Sequence, residues 1–218
     1  MRLLRLFVIA LGFVTVSAFA SPAAPKEGAD YTVLKTAQPT QSSGKKVEVI
    51  EFFMYHCPAC NALEPVINDW VKKQGDNINF RRVHLPRTGE TDPEAHLFVT
   101  LEAMNLEESL HARILATWHK ENKRLTSDAE NIDWVVKNGV DKAKFLSFYN
   151  SFSVISKMKS LPKTIANYGV DSTPTLVIDG RYLTNPSMIG AANSNMPREQ
   201  LFQATLQVLD ALVAKSKK

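Results

Sequence analysis

Hydrophobic positions change their period several times along the chain, and each change predicts an element. Val47–Tyr55 is a nearly continuous apolar run, the pattern of a central strand buried on both faces. It stops at His56-Cys57-Pro58-Ala59-Cys60. Beyond it Leu63, Val66, Ile67, Trp70 and Val71 fall at i, i+3, i+4, i+7 and i+8, one face of a helix. Ile78–Leu85 then alternates with period two after the Gly75-Asp76-Asn77 break, which predicts a second strand and a right-handed βαβ unit. Upstream, Tyr31–Leu34 is β-branched and aromatic and predicts an edge strand. Gln38–Gly44 reads as a polar turn, and Ser21–Gly28 as a flexible arm.

After Pro86 the period becomes helical and stays so. Asp92-Pro93-Glu94 is a helix start, with Asp92 as N-cap and Pro93 at the first helical position. Apolar residues recur through Leu97, Val99, Leu101 and Met104, and again through Leu110, Ile114, Leu115 and Trp118. Ser127 or Asp128 opens a helix carrying Ile132, Val135 and Val136, which Gly139 ends. Asp141–Tyr149 and Val154–Tyr168 complete the block. Strand character returns at Thr175–Ile178. Asp179-Gly180 predicts a type I′ hairpin, with Arg181-Tyr182-Leu183 as the partner strand. A closing helix over Pro197–Ala214 turns Leu201, Phe202, Leu206, Val208, Leu209 and Leu212 inward. The order predicts an α/β fold with an inserted all-helical domain: residues 21–85 and 169–218 form one discontinuous domain, and 86–168 the insertion.

Composition alters this picture mainly at the N-terminus. Met1–Arg5 is a basic segment, Leu6–Val16 an apolar one, and Ala18-Phe19-Ala20 a small-x-small site, so residues 1–20 read as a signal peptide and Ser21 as the first mature residue. The apolar stretch is shorter than the roughly 20 residues of a membrane span. The formal charge of +4 includes Arg2 and Arg5, which leaves too little to argue for nucleic acid or an anionic membrane as partner. Export places the chain where disulfides persist, yet its two cysteines make no evident cross-brace. The chain is long enough to bury a core without staples.

Those cysteines, Cys57 and Cys60, form a C-x-x-C that suits a zinc site or a redox dithiol. A structural zinc site wants a second such pair; His56 with a remote His84, His96, His111 or His119 lacks the usual spacing. A structural disulfide across so short a loop gains little chain entropy. The redox reading is the strongest. Pro58 suits the first turn of a helix, which puts Cys57 at the N-terminus, where unpaired N–H groups and the positive dipole end favour a thiolate. Glu51 has two readings: a buried carboxyl of raised pKa that passes a proton to or from Cys60, or an ion pair with Arg81 or Arg82. Glu64, one turn beyond Cys60, is either a group that influences that cysteine or, the favoured reading, a solvated face residue. His56 either favours the Cys57 thiolate when protonated or is an exposed neighbour. An arbitrary Thr173–Pro174 bond is trans; a cis bond would open the Thr173 backbone to an extended peptide.

Phe52-Phe53 running into Cys57-Pro58-Ala59-Cys60, a helical insertion, and a returning Val170-x-x-Thr173-Pro174-Thr175 resemble the DsbA family, exported bacterial thiol:disulfide interchange proteins. The resemblance covers nearly all of the chain beyond the leader. It implies a thioredoxin-like fold with an inserted helical domain. It also implies that Cys57 is the attacking, accessible cysteine and Cys60 its buried partner, with Thr173-Pro174 as a cis-proline loop facing them; His56, Pro58 and Glu51 stand in support. The activity implied is donation of the Cys57–Cys60 disulfide to reduced exported polypeptides in the periplasm, with a quinone-linked membrane reoxidase of the DsbB type as partner. No cofactor beyond that disulfide, no metal and no nucleic acid are implied, and no dimerisation module is visible, so a monomer is expected. One departure stands out: many relatives carry histidine at the position of Ala59, so a donor or positive charge near the thiolate is missing. A peptide-binding chaperone and a metal-binding module are the alternatives from other classes. A Cys57→Ser variant would stay active as a chaperone and fail as an oxidase, and elemental analysis would reveal a metal.

Overall fold

The computed structural model describes residues 24–42, 44–193 and 196–217; the signal-peptide expectation for residues 1–20 lies outside them. In chain order the elements are β1 (Thr32–Val33), β2 (Val47–Phe53), α1 (Pro58–Gln74), β3 (Ile78–His84), α2 (Pro93–Ala103), α3 (Glu107–His119), α4 (Asp128–Lys137), α5 (Lys142–Tyr149) and α6 (Phe152–Tyr168). β4 (Thr175–Ile178), β5 (Tyr182–Thr184), α7 (Pro186–Ala192) and α8 (Arg198–Ser216) complete the fold. Side-chain N-caps start most helices: Cys57, Asp92, Ser127, Asp141, Ser151 and Asn185 each accept a hydrogen bond from an N–H in the first turn. An oxygen cap of this kind stabilises a helix by about 1 kcal/mol.

The strands form one sheet in the order β1-β5-β4-β2-β3. β2 runs parallel to β3, with α1 as crossover, and antiparallel to β4; every residue of β2 is buried. Period two then assigns the faces. Val47 and Val49 meet Leu63 and Ile67 of α1 and Leu209 and Leu212 of α8, while Ile50 and Phe52 face the helices between β3 and β4. Those helices enclose no separate core. Their apolar residues, including Leu97, Leu101, Phe145 and Ile165, join Ile50, Phe52, Val83 and Val177 in one continuous cluster.

Three local expectations need correction. The arm is folded from Lys26 onward: the Lys26 N–H donates to Asp30, and the Gly28 N–H to the Tyr31 carbonyl. In the hairpin, Asp179 and Gly180 both have positive φ as a type I′ turn requires, but the ladder pairs Ile178 with Tyr182. Arg181 is therefore displaced from the strand: its N–H closes the turn onto Ile178 and its carbonyl accepts from Leu34. Gly180 is obligatory here, because a Cβ would lie 2.1 Å from the Gln38 carbonyl oxygen. The third correction is α7, which the hydrophobic period does not announce.

Register decides where chemistry can occur. Phe53 pairs with His84 on one side of β2, and Phe52 with Thr175 on the other. Pro174 therefore lies just beyond the C-terminal end of β2, where the chain turns into the His56–Cys60 segment. Residues 56–60 and 173–174 meet because of this pairing.

Candidate active site

Cys57 caps α1 in an extended conformation, and Pro58 occupies the first helical position, as the motif predicts. The two sulfurs are unbridged. The Cys60 N–H donates to Cys57 Sγ at 3.4 Å, and the Cys57 thiol lies 3.5 Å from the Thr173 carbonyl oxygen. The Thr173–Pro174 peptide is cis. The accessibility that the resemblance implies for Cys57 is small in area: Cys57 is 8% exposed and Cys60 2%. The Thr173 loop closes against the sulfur, so environment separates the cysteines more than exposure does.

That environment separates them strongly. The Cys57 thiol is lowered to about 5: the hydrogen bond from the Cys60 side chain is the largest cause, burial opposes it, and the Thr173 side chain and the N–H groups of Cys60 and Ala59 add to it. Cys60 is pushed well up by its hydrogen bond to Cys57, by burial, and by the negative charges of Cys57 and Glu51. One sulfur is built to carry charge and the other to carry a proton.

Glu51 combines the burial of its first reading with the ion pair of its second. It is fully enclosed, and burial raises its carboxyl to about 7; Arg82 opposes this, and Glu64 and Glu107 reinforce it. It is also ion-paired, 3.1 Å from Arg82 Nε. Alternation sends Arg81 to the other face of β3, where it meets Glu48 at 3.3 Å. Glu64 corrects an expectation. It is buried, because α3 packs against α1, and it accepts from Arg82 Nη2 at 3.2 Å and from Asn68 at 2.6 Å. His111 of α3 lies 3.3 Å from it. Burial pushes Glu64 up, but His111, Arg82 and Asn68 outweigh that and hold it below the ordinary range.

Sequence reasoning missed a second group. His56 Nδ1 lies 2.9 Å from both oxygens of Glu94, at the start of α2, and Glu94 also lies 3.2 Å from His84 Nε2. The hydrogen bond to Glu94 is the main reason that His56 is raised; burial opposes it, and the Cys57 charge contributes further. Glu94 is held at about 2: burial pushes it up, and the bonds from the two histidines outweigh this. His119 Nε2 donates to the Tyr55 carbonyl at 2.8 Å, pinning the approach to Cys57. The only sequence signal for Glu94 was its place in the acidic first turn after Asp92-Pro93. Among the described residues no set of three or more His, Cys, Asp and Glu is arranged to hold a metal ion. No described helix is long and apolar enough to cross a membrane.

A central strand running into a helix-capping cysteine, with a second cysteine one turn on and a cis-proline loop against the first, defines a class: the thioredoxin-fold thiol:disulfide oxidoreductases. Comparison with known proteins narrows it. The family model "DSBA-like thioredoxin domain" matches residues 48–202. The thiol:disulfide interchange protein DsbA of Burkholderia cepacia is 40% identical over 212 residues, covering 97% of this chain and 95% of the relative. That of Pseudomonas syringae pv. tomato is 35% identical over 218 residues, covering 98% and 97%. The crystal structure of Pseudomonas aeruginosa DsbA superposes with a TM-score of 0.75 at 34% identity, covering 87% of this chain and 93% of that one. The chain belongs to the DsbA family and is a thiol:disulfide oxidoreductase with the thioredoxin-like DsbA fold.

Proposed function

We propose that the protein works as an oxidase, donating a Cys57–Cys60 disulfide to reduced polypeptides exported to the periplasm. A substrate thiolate attacks Sγ of Cys57; the bond to Cys60 breaks, and Cys60 leaves with the electron pair and takes a proton from Glu51. A second substrate thiolate then attacks the substrate sulfur of the mixed disulfide, and Cys57 departs as thiolate. The substrate loses two electrons and the enzyme dithiol gains them. A DsbB-type membrane reoxidase returns the dithiol to the disulfide, and no further cofactor takes part.

The observation that carries this reading is the asymmetry of the sulfurs: Cys57 is lowered to about 5 and Cys60 raised. A thiol of low pKa leaves fast and is stable as the anion, so the equilibrium favours handing the disulfide on. Pro58 keeps the first turn free to serve the anion. His56, raised through Glu94, keeps its proton to higher pH than a free imidazole and so favours the anion despite Ala59 in the dipeptide. The Thr173 backbone, within reach of Cys57, is the edge on which an extended substrate lies, with Pro174 holding the bend. Residues 86–168 act as the inserted helical unit that walls this site, on a monomer. A redox titration against glutathione tests the reading: the couple should be more oxidising than glutathione, and Cys57→Ser should abolish substrate oxidation. A couple more reducing than glutathione would make the protein a reductase, and activity surviving in Cys57→Ser would make it a chaperone.

A further inference from the structure

Both chain neighbours of Cys57 line a groove. His56 and Pro58 form one side of an open cavity of about 440 Å³; Trp118 and His119 at the end of α3 and Arg87 and Arg124 from the flanking loops line it further, with Asn122 and Thr126. No acidic side chain lines it. Arg87 and Arg124 are exposed and form no ion pair among the described residues; Glu94 is engaged by His56 and His84 and Glu121 by Arg113 and Lys123, while Glu130 and Asp133 border Arg124 from a neighbouring pocket. Trp118 is half-buried, and its indole N–H is enclosed without a partner among the described residues. Two guanidinium groups without an ion pair, two imidazoles and an indole ring thus surround a space flanked by both chain neighbours of the reactive cysteine.

We propose that this groove takes an acidic stretch of the substrate polypeptide, with Asp or Glu a few residues from the cysteine that engages Cys57. An extended chain advances about 3.3 Å per residue, so side chains two to four positions from a cysteine held at Sγ fall within the groove. Carboxylates suit it because guanidinium groups bind them in a planar fork, and because attraction at a cleft acts mostly on the rate of encounter. Trp118 supplies an apolar wall. The inference rests on the reading of Cys57 as the residue that forms the mixed disulfide.

The experiment uses the full oxidised protein and matched cysteine peptides, with Asp and Glu at positions two to four from the cysteine or with Asn and Gln there. Stopped-flow rates are normalised to each peptide's reaction with neutral hydroxyethyl disulfide, which removes differences in thiol acidity. The acidic peptide should react about five- to tenfold faster at low salt, the range that two surface charge contacts supply. The advantage should shrink at high salt and fall to one or below in Arg87→Glu/Arg124→Glu. Lys159→Glu/Lys163→Glu, an equal change of net charge on exposed positions of α6, should keep it. Equal rates for the two peptides, or equal loss in both double variants, would overturn the proposal. Failure of the Cys57 reading looks different: neither peptide would react.

Discussion

The reduced protein should be more stable than the oxidised one, by a margin that grows with pH. Cys57 drops from an ordinary thiol value of 9.0 to about 5 on folding. A depressed acid contributes stability that is fully present above its unfolded pKa and lost as pH falls through the folded one, so the window runs from pH 9 down to pH 5. At pH 7 full linkage gives about 2.7 kcal/mol relative to pH well below 5. The segment opens to solvent at the exposed Pro58, so screening reduces this to roughly half, about 1.3 kcal/mol at pH 7 and about 2 kcal/mol at pH 8.5. The oxidised form has no Cys57 proton to lose, and its short ring gains little chain entropy in return. For a chain of this size 1 kcal/mol moves Tm by about 2–4 °C, so the gap between reduced and oxidised Tm should widen by about 3–5 °C between pH 5 and pH 7. Paired melting curves from pH 4.5 to 8.5, one series with reductant and one with oxidant, measure it. Reduced Cys57→Ser should lose the widening. A gap that stays flat across this range, or an oxidised form of higher Tm at pH 7.5, would refute the reasoning.

Brief alkylation of the reduced protein at pH 6 should label Cys57 and spare Cys60, since only Cys57 is lowered and Cys60 is more enclosed; mass spectrometry that found Cys60 labelled first would contradict this. Glu51→Gln should raise stability at high pH. A carboxyl raised from 4.5 to about 7 favours folding below pH 4.5 and loses that advantage as pH rises to 7, so the gain is near zero at pH 4 and at most about 3 kcal/mol at pH 8, read from Tm against pH. Glu94→Gln should move the His56 titration to lower pH, followed by NMR of the ring protons; an unchanged midpoint would mean that the hydrogen bond to Glu94 does not hold that proton.

What the sequence made legible was local. β2, β3 and β4 followed from apolar runs and their breaks, β1 from β-branched and aromatic composition and β5, one residue late, from the turn before it; Cys57, Cys60, Thr173 and Pro174 stand out because each motif lies within a few consecutive residues. α7 shows how weak a start signal is by itself: Asn185-Pro186 repeats the N-cap and proline pattern of Asp92-Pro93, but no apolar stripe follows through Gly190-Ala191-Ala192. Pro65 and Pro162 sit inside helices against propensity, on segments whose apolar faces are buried on the sheet and the helical cluster. The polar half of the site was not legible. His56 meets Glu94 across 38 positions, and Arg82 meets Glu107 across 25, so neither pair exists until α2 and α3 have been laid against β3. Glu64 lies on the flank of the apolar stripe of α1. Only the approach of α3, invisible to a helical period, decides that it is buried.

That approach also sets the state of the acid beside the dithiol. Arg82 is the one guanidinium for three carboxylates, at 3.1 Å from Glu51, 3.2 Å from Glu64 and 3.3 Å from Glu107. The remaining base, His111, is driven down to about 4, chiefly by burial, and so adds no positive charge at neutral pH. One cation cannot hold three buried anions, so a proton must stay in the cluster. Glu64 has the most donors and ionises first. Glu107, at the rim, is raised by burial but keeps some contact with water. The proton falls to Glu51, the most enclosed of the three, whose charge would otherwise stand beside Cys60. Glu107 and His111 both belong to α3, which reaches the sheet from outside the βαβ unit. The helical segment therefore walls the groove and also sets how many charges the strand beneath the dithiol can carry.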